Sequence, residues 1–487
     1  MVASLSRSDR PFDVQPELLA LMETGTAGKP YWPLEKAKVA IVMGGCCGMA
    51  FTQLTTSPAT VQFARSLGAT GLHIGVLAAL PMGLIGMQLL AAIAVNRMQF
   101  RKPTWFWLSI VQRLIFLPAA LGPWLWPQVS DRVWIWTLIG LTAVNHGLLH
   151  FGTPLWLSWM GDYLPHQGLN RYWGRRHSLQ QWTAALALLA NALFFFRDGV
   201  DVRAAFAAII VLGCVLGVVD ILMFVRVYEP PVRHLSSPRL WDVLAGPFRQ
   251  REFRSFIRYS CFWNVAAMVG APFISMYLFE FVGMDLFRIL LLWTLSWVGG
   301  ALLSGRLGHW AEHFGQRPVL VFCTAFKSVA MLALLACPPD PSLAFWILAP
   351  VFMFDAFLNA GILIANNGFM IKNSPRENRT MFIAAGTAFA GMVGGVTSVI
   401  AGQLIEMTSG WSYAVGGARI VNFHVLFAAS VLLRLWGVLL AAQVREPSST
   451  ATTQFVLELV VASRTQIRRF GRTAARDRAR QPAVATP

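Results

Sequence analysis

The stretch GHWAEHFGQRP, residues 308–318, sets His309, Glu312 and His313 in the spacing H-x-x-E-H, which in some metalloproteases puts two zinc ligands and a base on one helical face. Such a helix has to continue past its second histidine, whereas Gly315 and Pro318 are expected to end this one. No metal and no other cofactor is therefore expected, and the chain does not read as an enzyme. Other groups with conspicuous chemistry lie inside apolar runs. In PVFMFDAFLNAGILIANNG, Asp355 and Asn359 are four residues apart and share a helical face. A carboxyl there could exchange a proton or hold a substrate cation, or it could neutralise Lys327 of the preceding run. LTAVNHGLLHFGTPLW carries Asn145, His146 and His150. Imidazoles titrate near neutral pH, yet they could equally be hydrogen-bonded packing residues. Trp263 and Asn264 form a further polar and aromatic pair, while Trp293 and Trp297 could stack on a flat ligand or on neighbouring helices. Arg113 and Lys327 occupy similar places in their runs, and Asp220 is available to pair with Arg113.

Composition sets the elements that must hold these groups. Of 487 residues, 56% are hydrophobic and 13% charged, against about a quarter charged in ordinary soluble domains, so the chain reads as a polytopic membrane protein. Twelve mostly apolar runs of about 20 residues, the length a spanning helix needs, begin near Lys38, Gly71, Thr104, Val133, Ser178, Ala204, Ser255, Leu286, Pro318, Leu343, Met381 and Val421. The first 37 residues are polar and contain Pro11, Pro16, Pro30 and Pro33, so no cleavable leader is expected. Cys46, Cys47, Cys214, Cys261, Cys323 and Cys337 sit in or at the end of apolar runs and read as small core residues, not as a disulfide framework.

Lys and Arg outnumber Asp and Glu by 40 to 23. With both termini inside, about 31 of the 40 basic residues fall on the cytoplasmic side, about 6 on the other and 3, Arg113, Lys327 and Arg434, within runs. This is the positive-inside pattern together with attraction to anionic lipid headgroups at the cytoplasmic face, and nucleic acid is not expected as a partner. The layout is then an amino-terminal tail (1–37), a first six-helix bundle (38–226), a cytoplasmic linker (227–254), a second six-helix bundle (255–445) and a basic tail (446–487).

The two halves repeat. AIAVNRMQFRKP, after the second run, matches GHWAEHFGQRP, after the eighth: Asn96 falls on Glu312 and Arg101 on Arg317. Pro165 and Arg171 correspond likewise to Pro375 and Arg379. At these residues the chain resembles the major facilitator superfamily, whose signature between helices 2 and 3 reads approximately G-x-L-A-D-R-x-G-R-K and is echoed between helices 8 and 9. The second copy keeps Gly308, Ala311, Glu312, Gly315 and Arg317. The first has Asn96 for the acid, with Arg97, Arg101 and Lys102 retained. The resemblance spans about Lys38 to Arg445 and implies an all-α integral membrane fold of twelve helices in two bundles related by pseudo-two-fold symmetry, with both copies acting as a gate. Physically, the late glycine allows close helix approach, the acid pairs with basic groups or caps a helix, and Gly315 makes the turn.

The resemblance further implies that helices 1, 4, 7 and 10 line a central path. This ranks Asp355 first among coupling candidates, with Asn359, Asn145, His146, His150, Asn264, Trp263, Trp293 and Trp297 as further substrate or coupling candidates. The eleventh run, AGTAFAGMVGGVTSVIAGQL, is rich in small residues that permit close sliding contacts. Neither the arginine motif of helix 4 nor the Gly-Pro motif of helix 5 found in proton-driven drug exporters is present. The expected function is secondary transport of a small organic solute by alternating access in the bacterial inner membrane, by a monomer, with coupling to protons left open. The alternative is a protein of the same fold that no longer transports and serves as a sensor or assembly factor.

Overall fold

The computed structural model describes residues 31–95, 97–165, 169–195, 201–232, 248–373, 379–415, 418–446 and 449–458. Its helices run in chain order α1 Leu34–Thr55, α2 Pro58–Ser66, α3 Gly71–Gly83, α4 Met87–Val95, α5 Lys102–Leu114, α6 Leu117–Leu125, α7 Asp131–Tyr163, α8 Leu169–Phe194 and α9 Val202–Leu222. The second half continues with α10 Arg251–Met268, α11 Ile274–Glu280, α12 Leu286–Phe314, α13 Gln316–Phe326, α14 Ser328–Leu335, α15 Pro341–Asn373, α16 Arg379–Met407 and α17 Asn422–Ala442. Among the described residues, nine helical stretches are long and apolar enough to cross a membrane. Several helices outrun their apolar cores: α8 starts at Leu169, nine residues before the expected Ser178, through the polar NRYWGRRHS. A helix satisfies its backbone whatever its side chains, so hydropathy marks only the part of it that suits lipid.

Two breaks fall inside apolar runs. Pro81 lacks an N–H, and α3 gives way to a 3₁₀ turn, Leu84–Gly86, before α4. Lys327 separates α13 from α14, and its carbonyl accepts from Arg434 Nη1 at 2.8 Å. A two-stranded antiparallel hairpin, β1 Ser412–Val415 and β2 Ala418–Val421, pairs Ser412 with Val421. The sequence reading assigned no strand here, although two short runs flanking a Gly-Gly pair are a hairpin signal.

Buried residues form cores that report how the halves meet. We call the end carrying Tyr228 and Glu446 the linker face and the opposite end the far face. Toward the far face a large core draws on both halves, with Ile74, Phe116, Ile139 and Phe206 alongside Tyr277, Ile289, Leu334 and Phe427, and a smaller shared core joins Leu188 and Ala192 to Leu286 and Leu290. Toward the linker face two separate cores form. One contains Ile41, Trp105, Trp159 and Phe224 from the first half; the other contains Phe256, Leu307, Leu320 and Phe369 from the second.

The far-face contact is made chiefly by α3 against α16. A Cβ placed at Gly402 would lie 2.5 Å from the Gly71 carbonyl oxygen, and one at Gly75 would lie 2.6 Å from that of Ser398. Only glycine allows these backbones so near, which is the close approach expected of the small-residue run. Ser398 Oγ donates to the Gly75 carbonyl at 3.0 Å. Polar latches join the same face: Arg65 pairs with Glu280 at 3.2 Å, and Thr70 Oγ1 donates to Glu406 at 2.7 Å. Leu72 N–H donates to the same Glu406 carboxylate at 3.3 Å, so an acid of α16 serves the first turn of α3.

Candidate functional site

At the linker face the repeated motif forms matched clamps. Arg101 is 1% exposed despite its charge. Its Nη1 donates to Asp162 at 2.7 Å and to Ser158 at 2.5 Å, its Nη2 to the Pro230 carbonyl at 3.2 Å, and its Nε and backbone N–H to Glu229. Lys102 N–H also donates to Glu229, at 3.0 Å, so one carboxylate serves the first backbone donors of α5. Lys102 Nζ donates to the carbonyls of Val225 and Val227. Arg97 is exposed, and Asn96 lies outside the described residues.

In the second half Glu446 takes the matching role, accepting from Arg317 N–H at 2.7 Å at the start of α13. Gly315 turns the chain with φ +95°, a conformation that suits glycine, and thereby ends α12 immediately after Phe314. Pro318 does not help to end α12 as expected: it sits in the first turn of α13, where a missing N–H is harmless. The side-chain surroundings of Gly308, His309 and Glu312 lie outside the described residues, so the expected pairing of Glu312 is not defined. The chain beyond Glu446 packs on the same turn. Thr450 N–H donates to the Phe314 carbonyl at 2.9 Å, and Phe455, fully buried, meets the rings of Trp310, Phe314 and Phe322. Glu446 and residues 449–458, expected as the start of the basic tail, thus pack on the second half.

Inside each half sits a trio of charges. In the second, Lys327 Nζ pairs with Asp355 Oδ2 at 2.5 Å, and Arg434 joins Ser430 and the Lys327 carbonyl and stacks 5.7 Å over Trp263. The Lys327 side chain is 8% exposed and that of Asp355 30%, so the acid is the end of the pair that faces outward. In the first half Arg113 pairs with Asp220 at 2.7 Å, as the sequence suggested, and lies 4.5 Å over Phe51. The third member is Arg176 of α8, stacked on Trp156 at 4.9 Å and Trp173 at 5.2 Å, with Nη1 donating to Gln180 at 3.2 Å.

The other candidates divide between tie and contact. Asn145 is buried and donates to the Gln112 carbonyl at 3.0 Å, binding α7 to α5. His150 Nε2 donates to the Pro81 carbonyl at 2.8 Å, next to the break between α3 and α4. His146 lies 6.1 Å from His150 ring to ring, and its buried Nδ1 has no partner. Asn264 donates to the Ser260 carbonyl in its own helix. Trp263 stacks on Tyr259, Trp293 meets Phe352 at a tilt of 58°, and Trp297 packs with Trp293 around Leu188 and Leu290. Asn359 is exposed.

A cavity of about 250 Å³ opens beside the first trio, walled by α1, α5, α7, α8 and α9. Arg113, Arg176 and Asp220 line it with Gln112, Gln180 and the rings of Trp105 and Trp156. Glycines of α1 make the room: a Cβ at Gly48 would fall 2.5 Å from Asp220 Oδ2, and one at Gly45 2.5 Å from Arg176 Nη2. Sequence reasoning missed Arg176 and Gln180, which sit where α8 leaves its apolar run, as well as Glu229 and Glu446. The signals were present as MGGCCG in α1 and as a Glu-Pro pair after α9 and again after α17.

No family model and no curated protein matches the sequence. Solved structures do. The nucleoside transporter NupG, as a mutant, aligns over 84% of this chain and 100% of its own, with a TM-score of 0.66 at 13% identity. A D-xylose–proton symporter aligns over 85% and 98%, with a TM-score of 0.62 at 13% identity. A bacterial homologue of the human lysosomal transporter Spinster, inward-facing and unoccupied, aligns over 84% and 94%, with a TM-score of 0.56 at 13% identity. The chain is therefore an all-α, multi-pass membrane protein with the major facilitator fold.

Proposed function

We propose that this chain is a secondary transporter that carries a small organic solute across the membrane by alternating access, and that the arrangement described is the one open toward the linker face. The observation that carries this reading is the division of the cores: two cores shared between the halves and three polar ties at the far face, against separate cores for the two halves toward the linker face among the described residues. A protein that alternates needs one end sealed while the other parts, and discrete packed interfaces provide such states. The similarity of fold to a nucleoside transporter and a sugar–proton symporter supports solute transport in general terms. The positive charge supports placing the linker face in the cytoplasm. Within this reading the accessible carboxylate of Asp355 is the coupling group, because its protonation would release Lys327.

The test is uptake into proteoliposomes from a mixture of small solutes, read by mass spectrometry of the lumen. In a cysteine-free background, Arg65→Cys with Glu280→Cys, joined by a short cleavable cross-linker, should reduce uptake to that of empty vesicles, with recovery after cleavage. Full uptake in the cross-linked state rejects alternating access at this face. Solute binding with no uptake in any state favours the non-transporting sensor instead.

A further inference from the structure

We propose that the cavity inside the first half binds a small, flat organic monoanion, its carboxylate held by Arg176 and Arg113 and its body lying between Trp105 and Trp156. The proposal rests on the transport reading only in calling that anion the cargo; the binding site stands on its own geometry.

Charge gives the first argument. The lining contains two guanidinium groups and one carboxylate, Asp220, which Arg113 engages at 2.7 Å. Among the described residues no carboxylate lies within ion-pair distance of Arg176, whose polar contacts are neutral: the Gln180 side chain and, at 3.4 Å, the Ile41 carbonyl. A half-buried guanidinium with no carboxylate in pairing distance leaves its charge uncompensated inside the protein, which is costly. A ligand bearing one negative charge would remove that cost, whereas a cation would add to it. The Nε of Arg113 is buried with no partner among the described residues, leaving a donor unused beside the ion pair.

Shape gives the second. Arg176 lies over Trp156 and Trp173, whose rings are 69° apart, and among the described residues its hydrogen bonds use Nε and Nη1, which leaves Nη2 for a carboxylate of the kind arginine binds well. Trp105 is nearly fully buried, and Phe224 meets it edge-on at 5.0 Å and Trp156 at 6.4 Å, fixing both walls. A volume of 250 Å³ is below the ~300–1,000 Å³ of pockets that hold drug-sized ligands, which sets the solute at about the size of a single-ring acid. Gly45 and Gly48 leave bare backbone against the two guanidinium groups and keep the space open.

The experiment uses the full-length protein in detergent with benzoate, its neutral isostere benzamide and its cationic analogue benzylamine, read by calorimetry and by quenching of tryptophan fluorescence. Benzoate should bind at least about tenfold more tightly than benzamide, with benzylamine weakest, as one charge-assisted contact predicts. Arg176→Gln should abolish that preference, and Arg176→Lys should retain part of it. Equal binding of benzoate and benzamide to the unaltered protein overturns the proposal even where a variant fails to fold. So does a full benzoate preference in well-folded Arg176→Gln. Benzoate binding without benzoate uptake in proteoliposomes overturns the anion as cargo and leaves the site. Uptake of some other solute with no benzoate binding removes the site and leaves transport.

Discussion

Arg101 and Glu229 concentrate the argument at the scale of single residues. Both side chains are at least 95% buried, and the carboxylate also serves two backbone N–H groups, so neither can be lost without stranding the other. Arg101→Ala should therefore destabilise the protein by about 3–5 kcal/mol, read as a lower melting temperature, while Glu229→Gln, which keeps an acceptor, should cost less. Gly48→Ala should lower the melting temperature because its methyl would enter the space of Asp220, whereas Gly161→Ala, with open space around it, should not. The Arg113–Asp220 and Lys327–Asp355 pairs were legible in the sequence because a lone charge in an apolar run needs a partner, and few are on offer. The roles of Glu229 and Glu446 were not. Each stands where helical hydropathy has ended, and its importance comes from backbone donors more than 125 residues earlier in the chain, which no local pattern encodes.

At the scale of elements, the apolar runs located the helices to within a few residues at most starts, and missed where helices continue through polar sequence, as in α8, or break inside apolar sequence, as at Lys327. Hydropathy reports environment, whereas breaks depend on who receives the freed carbonyl, as Arg434 and His150 do. Close contact by α16 was expected from its small residues, its partner α3 was not, and the contact is testable. Gly402→Val would drive a side chain into the Gly71 carbonyl and should cost about 1–3 kcal/mol, with increased labelling of a cysteine at Ser398 as the far face loosens. The segment 452–458 is held by one fully buried ring. Phe455→Ala should cost about 3 kcal/mol or more and expose the α12–α13 turn to limited proteolysis, whereas the exposed Leu457→Ala should do neither.

For the whole molecule, composition and charge placed the chain in a membrane, and the duplicated motif led to the fold that the structural comparisons bear out. The cavity was less legible, because its walls come from five helices of which only the glycine run of α1 is unusual in sequence. The clamps carry a consequence for the covalent chain. Glu229 fastens the end of the first half to the start of α5, and Glu446 fastens the end of the second to the start of α13, so each half is tied shut by its own last residues. Continuity of the polypeptide between them is then dispensable for assembly. A gene divided within residues 233–247 and expressed as two fragments should yield a complex that co-purifies through a tag on either one and melts as the unbroken protein does; Glu229→Gln in the first fragment should weaken that recovery.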